Sequence, residues 1–328
     1  MGGSAGSGGR AARIVVVSDV PGVLEVLAAR RAGQRDDHVV ALAVEGGGMR
    51  GIVSATMLLA LRDLGLLGTF DRLYGTSSGA INLAYLAGGG GWDAVAVYYD
   101  HLVRGFVRRL PRPGRPLLDM GRVERILRRE VPLDVGAVLA SPLDVRLVLT
   151  DVDARRPVAV AARTAGDTLV EHLLAGAWLP ILAGRPYRFG GRAYLDGGLL
   201  RPDALYAAAA DGATHVLMLS TSTEDRAVSI PPPTTRLLTR VLDAWSPGLG
   251  GEFSRANSRW HLDSALLPPG RAVRLGGVAV QRVRPAARAH HVERLTRDRA
   301  TLLDGARAGY TTLMATFDRS PGGHFAVV

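Results

Sequence analysis

The chain has 328 residues, 47% of them hydrophobic and 21% charged, which is typical of a folded protein with a sizeable core. It contains no cysteine, which excludes disulfides and thiolate metal sites, and no apolar run approaches the ~18–20 residues of a membrane-spanning helix. The formal net charge is +10, and all 40 basic residues are arginine. We therefore expect a cytoplasmic protein without a transmembrane segment.

The first 35 residues are predicted to form a flexible tail and extension ahead of the folded core. Residues 1–9 are rich in glycine and serine, and no long apolar segment follows them, so they do not resemble a signal peptide. A strand over residues 13–18 and a helix over residues 21–31, with proline in its first turn, complete this extension.

A glycine loop follows the first predicted buried strand. Residues 38–44 are apolar and β-branched, and residues 52–64 have helical spacing. Between them, residues 46–51 read Gly-Gly-Gly-Met-Arg-Gly. The loop fits a dinucleotide fingerprint with Asp71 as the ribose-binding acid, although Asp71 precedes the next strand instead of ending it. It fits equally well an oxyanion hole made of backbone amides, whereas a phosphate-binding P-loop is excluded because no Gly-Lys-Ser/Thr follows.

The Gly-Thr-Ser-Ser-Gly sequence of residues 75–79 lies between a short apolar run and a helix-like run. This arrangement is typical of a nucleophile elbow, in which a serine occupies a strained strand-to-helix turn. Gly75 and Gly79 would let strand and helix approach closely, and Ser77 would lie at the positive end of the helix dipole. The alternative interpretation is an ordinary Gly/Ser turn.

Basic residues are concentrated in two stretches. Residues 104–129 carry a net charge of +7 and residues 271–299 carry +6. The first stretch continues a predicted helix over residues 92–106 and includes an amphipathic helix over residues 120–130. Such stretches are either solvated helix faces or contacts for phosphate, and here we expect peripheral contact with an anionic membrane surface, not with nucleic acid.

Asp196 is the second candidate functional residue. It ends a short strand within residues 192–199 and is followed by two glycines. The carboxyl ends of strands in open α/β sheets are where sites assemble, although Asp-Gly turns are also common in any protein. Further strands and helices alternate around it, with strands predicted over residues 144–151, 157–162, 214–220 and 272–283 and helices over 168–177, 203–211, 236–245, 252–267 and 292–317.

Three motifs now stand in order: residues 46–51, residues 75–79 and the Asp-Gly-Gly of residues 196–198. Together they resemble the patatin-like phospholipase family, with likeness over roughly residues 39–219. The resemblance implies a three-layer α/β/α sandwich with a mostly parallel central sheet. We expect a single large domain whose catalytic core spans residues 36–225, with residues 226–328 packed on it as a helical and strand part.

The same resemblance implies a serine hydrolase that cleaves acyl esters of lipids, phospholipid or lysophospholipid above all, and needs no cofactor or metal. Ser77 would be the nucleophile and Asp196 its base. Gly46, Gly47, Gly48 and Arg50 would form or support the oxyanion hole. Two positions depart from the family pattern, because Glu45 replaces the usual Asp and residues 201–203 replace an Asn-x-Pro.

Three other functions stay open from the sequence. An α/β-hydrolase would use a Ser-Asp-His triad, a dinucleotide-binding protein would use the glycine loop alone, and a non-catalytic member of the same fold would bind lipid. For the triad, the available histidines are His215, His261, His290, His291 and His324. The sequence does not distinguish hydrolysis from acyl transfer to another acceptor.

Overall fold

A computed structural model describes residues 21–108, 115–200, 204–223, 232–268, 271–286 and 291–317, with backbone alone for residues 261–265. The strand predicted over residues 13–18 lies outside these ranges. So do residues 201–203, where the sequence departs from the family pattern.

Nine strands of the described chain form one mixed sheet. Its order is β5-β6-β3-β2-β1-β7-β9-β8, and β4 also pairs with β3. Five of the strands, β3, β2, β1, β7 and β9, run parallel, whereas β4, β5, β6 and β8 pair antiparallel. The strands are β1 (Val40–Val44), β2 (Arg72–Thr76), β3 (Val145–Asp151), β4 (Arg156–Ala161), β5 (Tyr187–Phe189), β6 (Arg192–Asp196), β7 (His215–Leu219), β8 (Ala272–Leu275) and β9 (Val278–Val283).

Helices cover both faces of this sheet. They are α1 (Val23–Arg31), α2 (Gly51–Asp63), α3 (Ser78–Ala87), α4 (Trp92–Ala96), α5 (Met120–Arg125), α6 (Val135–Ala140), α7 (Ala162–Ala165), α8 (Leu169–Gly176), α9 (Leu205–Ala210), α10 (Pro232–Trp245), α11 (Leu249–Ala265) and α12 (Arg299–Thr316). Helix α4 continues as a π-helical segment, Val97–Leu102, and α5 as another, Ile126–Glu130.

Strand β1 shows why the sheet is buried on both sides. Val40, Leu42 and Val44 pack into the large core that holds α2, α3 and α12, whereas Ala41 and Ala43 face the core around α9. Alternate side chains of a strand point to opposite faces, so a continuous apolar run is the sequence of a central strand. The predicted α/β fold with a mostly parallel central sheet between helical layers is therefore confirmed.

The C-terminal part differs in detail from the sequence predictions. Strand β9 joins β7 in the main sheet, and residues 272–283 form a β8–β9 hairpin instead of one strand. The last helix begins at Arg299 and not at residue 292, because the Asp298 carboxylate accepts a hydrogen bond from the Thr301 amide at 2.8 Å and caps it. The division of the chain at residue 226 stays a prediction.

Candidate active site

Ser77 occupies the turn between β2 and α3. Its backbone has φ 52° and ψ −132°, a strained conformation for a residue with a side chain. Two glycines make the turn possible, since a Cβ at Gly75 would lie 2.6 Å from the Ala80 Cα and one at Gly79 would lie 2.5 Å from the Val44 carbonyl oxygen. Strand, turn and helix therefore have the geometry predicted for a nucleophile elbow.

The glycine loop packs directly on this elbow. The Gly46 amide donates to the Thr76 hydroxyl at 3.3 Å, and the Gly47 amide donates to the Ser78 hydroxyl at 3.0 Å. Within the described residues, the Gly48 amide has no acceptor. Of the three glycine amides, that of Gly48 is therefore free to donate to a ligand beside Ser77.

Arg50 faces the fold and not the space beside Ser77. Its guanidinium is buried, donates to the Thr221 hydroxyl at 2.9 Å and pairs with the Glu45 carboxylate at 3.5 Å. Glu45 in turn accepts from the Thr221 amide at 3.1 Å. Glu45 thus still pins the loop to the end of β7, although it replaces the aspartate usual in the family.

Asp196 reaches Ser77 through the pairing of β3. One edge of β3 is paired with β4; along the other edge, β2 pairs with residues 145–148 and β6 with residues 149–151. Because β2 runs parallel to β3 and β6 runs antiparallel, the carboxyl ends of β2 and β6 meet. Thr76 lies opposite Val148 and Asp196 opposite Leu149.

The turn after Asp196 also requires close packing. A Cβ at Gly197 would overlap the Val148 carbonyl group, so glycine is the residue that lets this turn lie against β3. The sequence placed Asp196 at the carboxyl end of a strand, which is where it lies. This strand, β6, runs antiparallel to β3, however. Its carboxyl end therefore lies beside the elbow because it meets the carboxyl end of β2.

The carboxyl group of Asp196 is almost completely buried, with 2% exposure. Its Oδ1 accepts a hydrogen bond from the Gly198 amide at 2.7 Å, and its Oδ2 has no hydrogen-bond partner in the described part of the chain. Burial raises the pKa of Asp196 to about 6, opposed by the neighbouring Ser77 hydroxyl, the Gly198 amide and the charge of Arg294. A carboxylate with this pKa is a stronger base than an exposed one and is ionised at neutral pH.

Two cavities meet at Ser77. The first, which we call the Asp196 cavity, also contacts the glycine loop, and its outer wall is formed by Phe253, Asn257, Trp260 and Arg294. The second, the apolar cavity, is lined mainly by hydrophobic side chains from α3, α4 and α5 and the π-helical segments that follow α4 and α5. Ser77, Gly48 and Leu179 line both.

Polar groups in the wall of the apolar cavity are bonded to the protein. The Tyr98 hydroxyl donates to Asn82 Oδ1 at 2.8 Å, the Asn82 amide donates to the Gly51 carbonyl at 2.9 Å, and the Tyr85 hydroxyl donates to the Val131 carbonyl at 2.7 Å. The cavity therefore presents an apolar surface to whatever enters it.

The first basic stretch forms part of this wall. Its apolar side chains line the cavity, among them Phe106, Leu118, Met120 and Val123. Part of its positive charge is balanced by ion pairs, since Arg108 pairs with Asp119 at 3.1 Å and Arg128 pairs with Glu124 at 3.1 Å. Exposed side chains in this stretch include Arg104, Arg115, Arg125 and Arg129, whereas Arg109 and Arg112 lie outside the described residues.

The sequence did not reveal the outer wall of the Asp196 cavity. Phe253, Asn257 and Trp260 come from α11 and Arg294 from the segment before α12, more than 50 residues after Asp196. None lies in a motif, and only the path of the chain over the sheet brings them to Ser77.

Where the structure describes them, the residues considered for two alternative functions do not line either cavity. Asp71 precedes β2, and its carboxylate accepts from the Val40 amide at 2.7 Å, so it lies at the opposite end of β1 from the glycine loop. His215 begins β7 at that same far edge. His291 lies 3.4 Å from the Thr223 hydroxyl and does not line either cavity. His290, His324 and the side chain of His261 lie outside the described residues.

This elbow, glycine loop and buried aspartate, on a mostly parallel sheet between helices, define a patatin-type α/β architecture. The family model for patatin-like phospholipase matches residues 42–209, and the chain belongs to this family. No curated protein matches the sequence. No helix in the described ranges is long and apolar enough to cross a membrane.

Two of the solved structures that match are similar over most of the chain. VipD from Legionella pneumophila has a TM-score of 0.49 and 13% identity, covering 94% of this chain and 70% of VipD. Human GIVD cytosolic phospholipase A2 has a TM-score of 0.44 and 13% identity, covering 90% of this chain and 62% of the human chain.

Proposed function

We propose that the protein is a serine acyl hydrolase that cleaves ester-linked fatty acyl chains from lipids, with phospholipid or lysophospholipid as the substrate class. The observation that carries this proposal is the position of Ser77 between two unlike cavities. One holds a buried carboxylate and a glycine loop, and the other is an apolar space of the kind that an acyl chain fills. A lipid ester spanning both would place its carbonyl group at Ser77.

The proposed reaction begins with attack of the Ser77 hydroxyl oxygen on the ester carbonyl carbon. The hydroxyl proton passes to Asp196, whose Oδ2 has no other hydrogen-bond partner in the described chain. The carbonyl oxygen becomes an oxyanion beside the Gly48 amide and the positive end of the α3 dipole.

Collapse of this intermediate breaks the bond to the alcohol, which leaves with the proton from Asp196, and an acyl chain stays on Ser77. A water molecule then gives its proton to Asp196 and attacks the acyl-enzyme. The fatty acid is released as the proton returns to Ser77. This cycle balances with no metal and no nucleotide.

Covalent labelling tests the proposal directly. A long-chain alkyl fluorophosphonate should modify wild-type protein once, at Ser77, as located by peptide mass spectrometry, and labelling should proceed in a strong chelator. Purified protein should also hydrolyse a p-nitrophenyl acyl ester. Labelling at another serine, or a lack of both labelling and hydrolysis, would contradict the proposal and favour a lipid-binding protein.

The pH dependence of activity follows from the buried carboxyl. Because Asp196 must be unprotonated to accept the Ser77 proton, and its pKa is about 6, kcat/KM for a soluble short-chain ester should rise tenfold per pH unit below pH 6 and level off above about pH 7. The curve is measured by initial rates at constant ionic strength. A rise controlled by a histidine, abolished by replacing His291 with alanine, would instead support a Ser-Asp-His triad.

We also propose that the protein contacts anionic membranes peripherally, through the stretch that lines the apolar cavity. Exposed arginines beside this cavity, Arg115 and Arg125 among them, would place its opening against lipid headgroups. Acyl chains could then enter the cavity without crossing water. A cytoplasmic location stays a prediction from the sequence.

Replacing Arg115 and Arg125 with glutamine should weaken binding to phosphatidylserine vesicles by up to about 30-fold, since each arginine contributes about 1 kcal/mol near such a surface. Sedimentation with vesicles at two salt concentrations measures this. The matched control replaces Arg31 and Arg35, which are exposed at the far end of the sheet, with glutamine. Equal weakening by both pairs would indicate a non-specific charge effect and not a docking surface.

A further inference from the structure

Arg294 brings a positive charge into the Asp196 cavity from outside the family region. It lines this cavity together with Ser77 and Asp196, yet it belongs to the segment just before α12, well beyond residue 209. Its charge acts on the Asp196 carboxyl and lowers the pKa of that group. The guanidinium therefore lies within electrostatic range of the reacting groups.

The backbone of Arg294 is fixed to the glycine loop. Its carbonyl oxygen accepts a hydrogen bond from the Met49 amide at 3.0 Å. The contact is close, because a Cβ at Gly48 would lie 2.7 Å from the same oxygen. Arg294 is thus positioned relative to the Gly48 amide and does not lie on a free surface loop.

The side chain of Arg294, in contrast, is uncommitted. It is exposed, and within the described residues no carboxylate pairs with it. The nearest acidic residue in sequence, Glu293, faces His291 at 3.5 Å. Arg50, the arginine of the glycine loop, is buried against Glu45 and Thr221 and cannot turn to a ligand without leaving a buried carboxylate unpaired.

We propose that Arg294 binds the phosphate of the substrate headgroup and so makes the enzyme selective for phosphate-bearing acyl esters over uncharged acylglycerols. The inference depends on the proposed hydrolase function and adds to it the residue that recognises the phosphate. With the acyl chain in the apolar cavity, the rest of the lipid lies in the Asp196 cavity, where Arg294 offers a planar, permanently charged donor pair suited to phosphate.

The test compares two substrates with the same acyl chain, a lysophosphatidic acid and a monoacylglycerol, in uncharged detergent micelles at pH 8. Wild-type enzyme should prefer the phosphate ester, and R294Q should lower the ratio of the two kcat/KM values by about 10- to 100-fold, the scale of a charge-assisted hydrogen bond. The ratio cancels effects common to both substrates, including any change in the pKa of Asp196. The ratio of the two kcat/KM values for R294K should lie between those for the wild type and R294Q.

Arg297→Gln is the matched control, since it removes the same charge three residues away, outside both cavities. It should leave the ratio at the wild-type value. An unchanged ratio in R294Q, an equal fall in R297Q, or a wild-type enzyme with no preference would each overturn the assignment of Arg294. If the wild type hydrolyses neither ester and is not labelled by a fluorophosphonate, the proposed function itself fails.

Discussion

Replacing Ser77 with alanine should lower ester hydrolysis by about 10⁴-fold or more, because the hydroxyl that forms the acyl-enzyme is lost. Any remaining rate would come from the glycine loop and substrate binding alone. The fold should be retained. Alanine keeps the Cβ against which Gly46 packs, and it adopts the turn with the same backbone strain that serine already has.

Initial rates on a soluble ester and the intact mass after fluorophosphonate treatment measure this result, with thermal unfolding as the check on folding. Ser78→Ala provides the matched comparison. Ser78 holds the Gly47 amide at 3.0 Å, so its loss should reduce the rate partially while Ser77 is still labelled. Labelling that survives Ser77→Ala and is abolished by Ser78→Ala would show that Ser78, and not Ser77, is the nucleophile.

The sequence could predict the elbow and the loop because both depend on local steric requirements. A Cβ at Gly79 would lie 2.5 Å from the Val44 carbonyl, so the close contact between α3 and β1 can form only at glycine. Buried parallel strands are likewise visible as continuous apolar runs such as residues 40–44. The glycine motifs and the apolar runs are each short and local in the sequence, although the contacts that the glycines permit join segments about 30 residues apart.

What the sequence could not supply depends on pairing between distant segments. Nothing in residues 192–196 shows that β6 runs antiparallel and meets β2 end to end on one edge of β3. The hydrogen-bond acceptors of the glycine amides could not be predicted either. The amides of Gly46 and Gly47 donate to hydroxyls of the elbow, which leaves the Gly48 amide free within the described residues. Arg294 lies in the segment before α12, whose backbone is bonded to the glycine loop, a contact between residues more than 240 positions apart.

Replacing Asp196 with asparagine should be about as damaging as losing Ser77, a fall of about 10⁴-fold, because asparagine has the shape of the carboxylate but cannot accept the Ser77 proton. The double variant Ser77→Ala, Asp196→Asn should be no slower than either single variant, since the two residues act as one unit. Rates on a soluble ester measure all three. An Asp196→Asn enzyme with most of its activity would show that another group is the base.

The pH dependence of stability gives an independent test of Asp196. Ionisation of its carboxyl group is required for the proposed activity but lowers the free energy of unfolding. In the folded protein burial raises the pKa of Asp196 to about 6 from its ordinary value of 3.8, so between about pH 4 and pH 6 the folded state holds a proton that the unfolded chain has released. Ionisation therefore destabilises the wild type as pH rises through this window, by about 3 kcal/mol in all. Asparagine carries no charge and has no such dependence.

The free energy of unfolding of Asp196→Asn minus that of the wild type, from urea titrations at pH 4.5 and 7.5, should thus increase with pH. Taking the difference between the two pH values removes any constant packing cost of the amide. A difference that does not change with pH would mean that Asp196 is not a desolvated carboxyl, and the base strength on which the proposed mechanism depends would be lost.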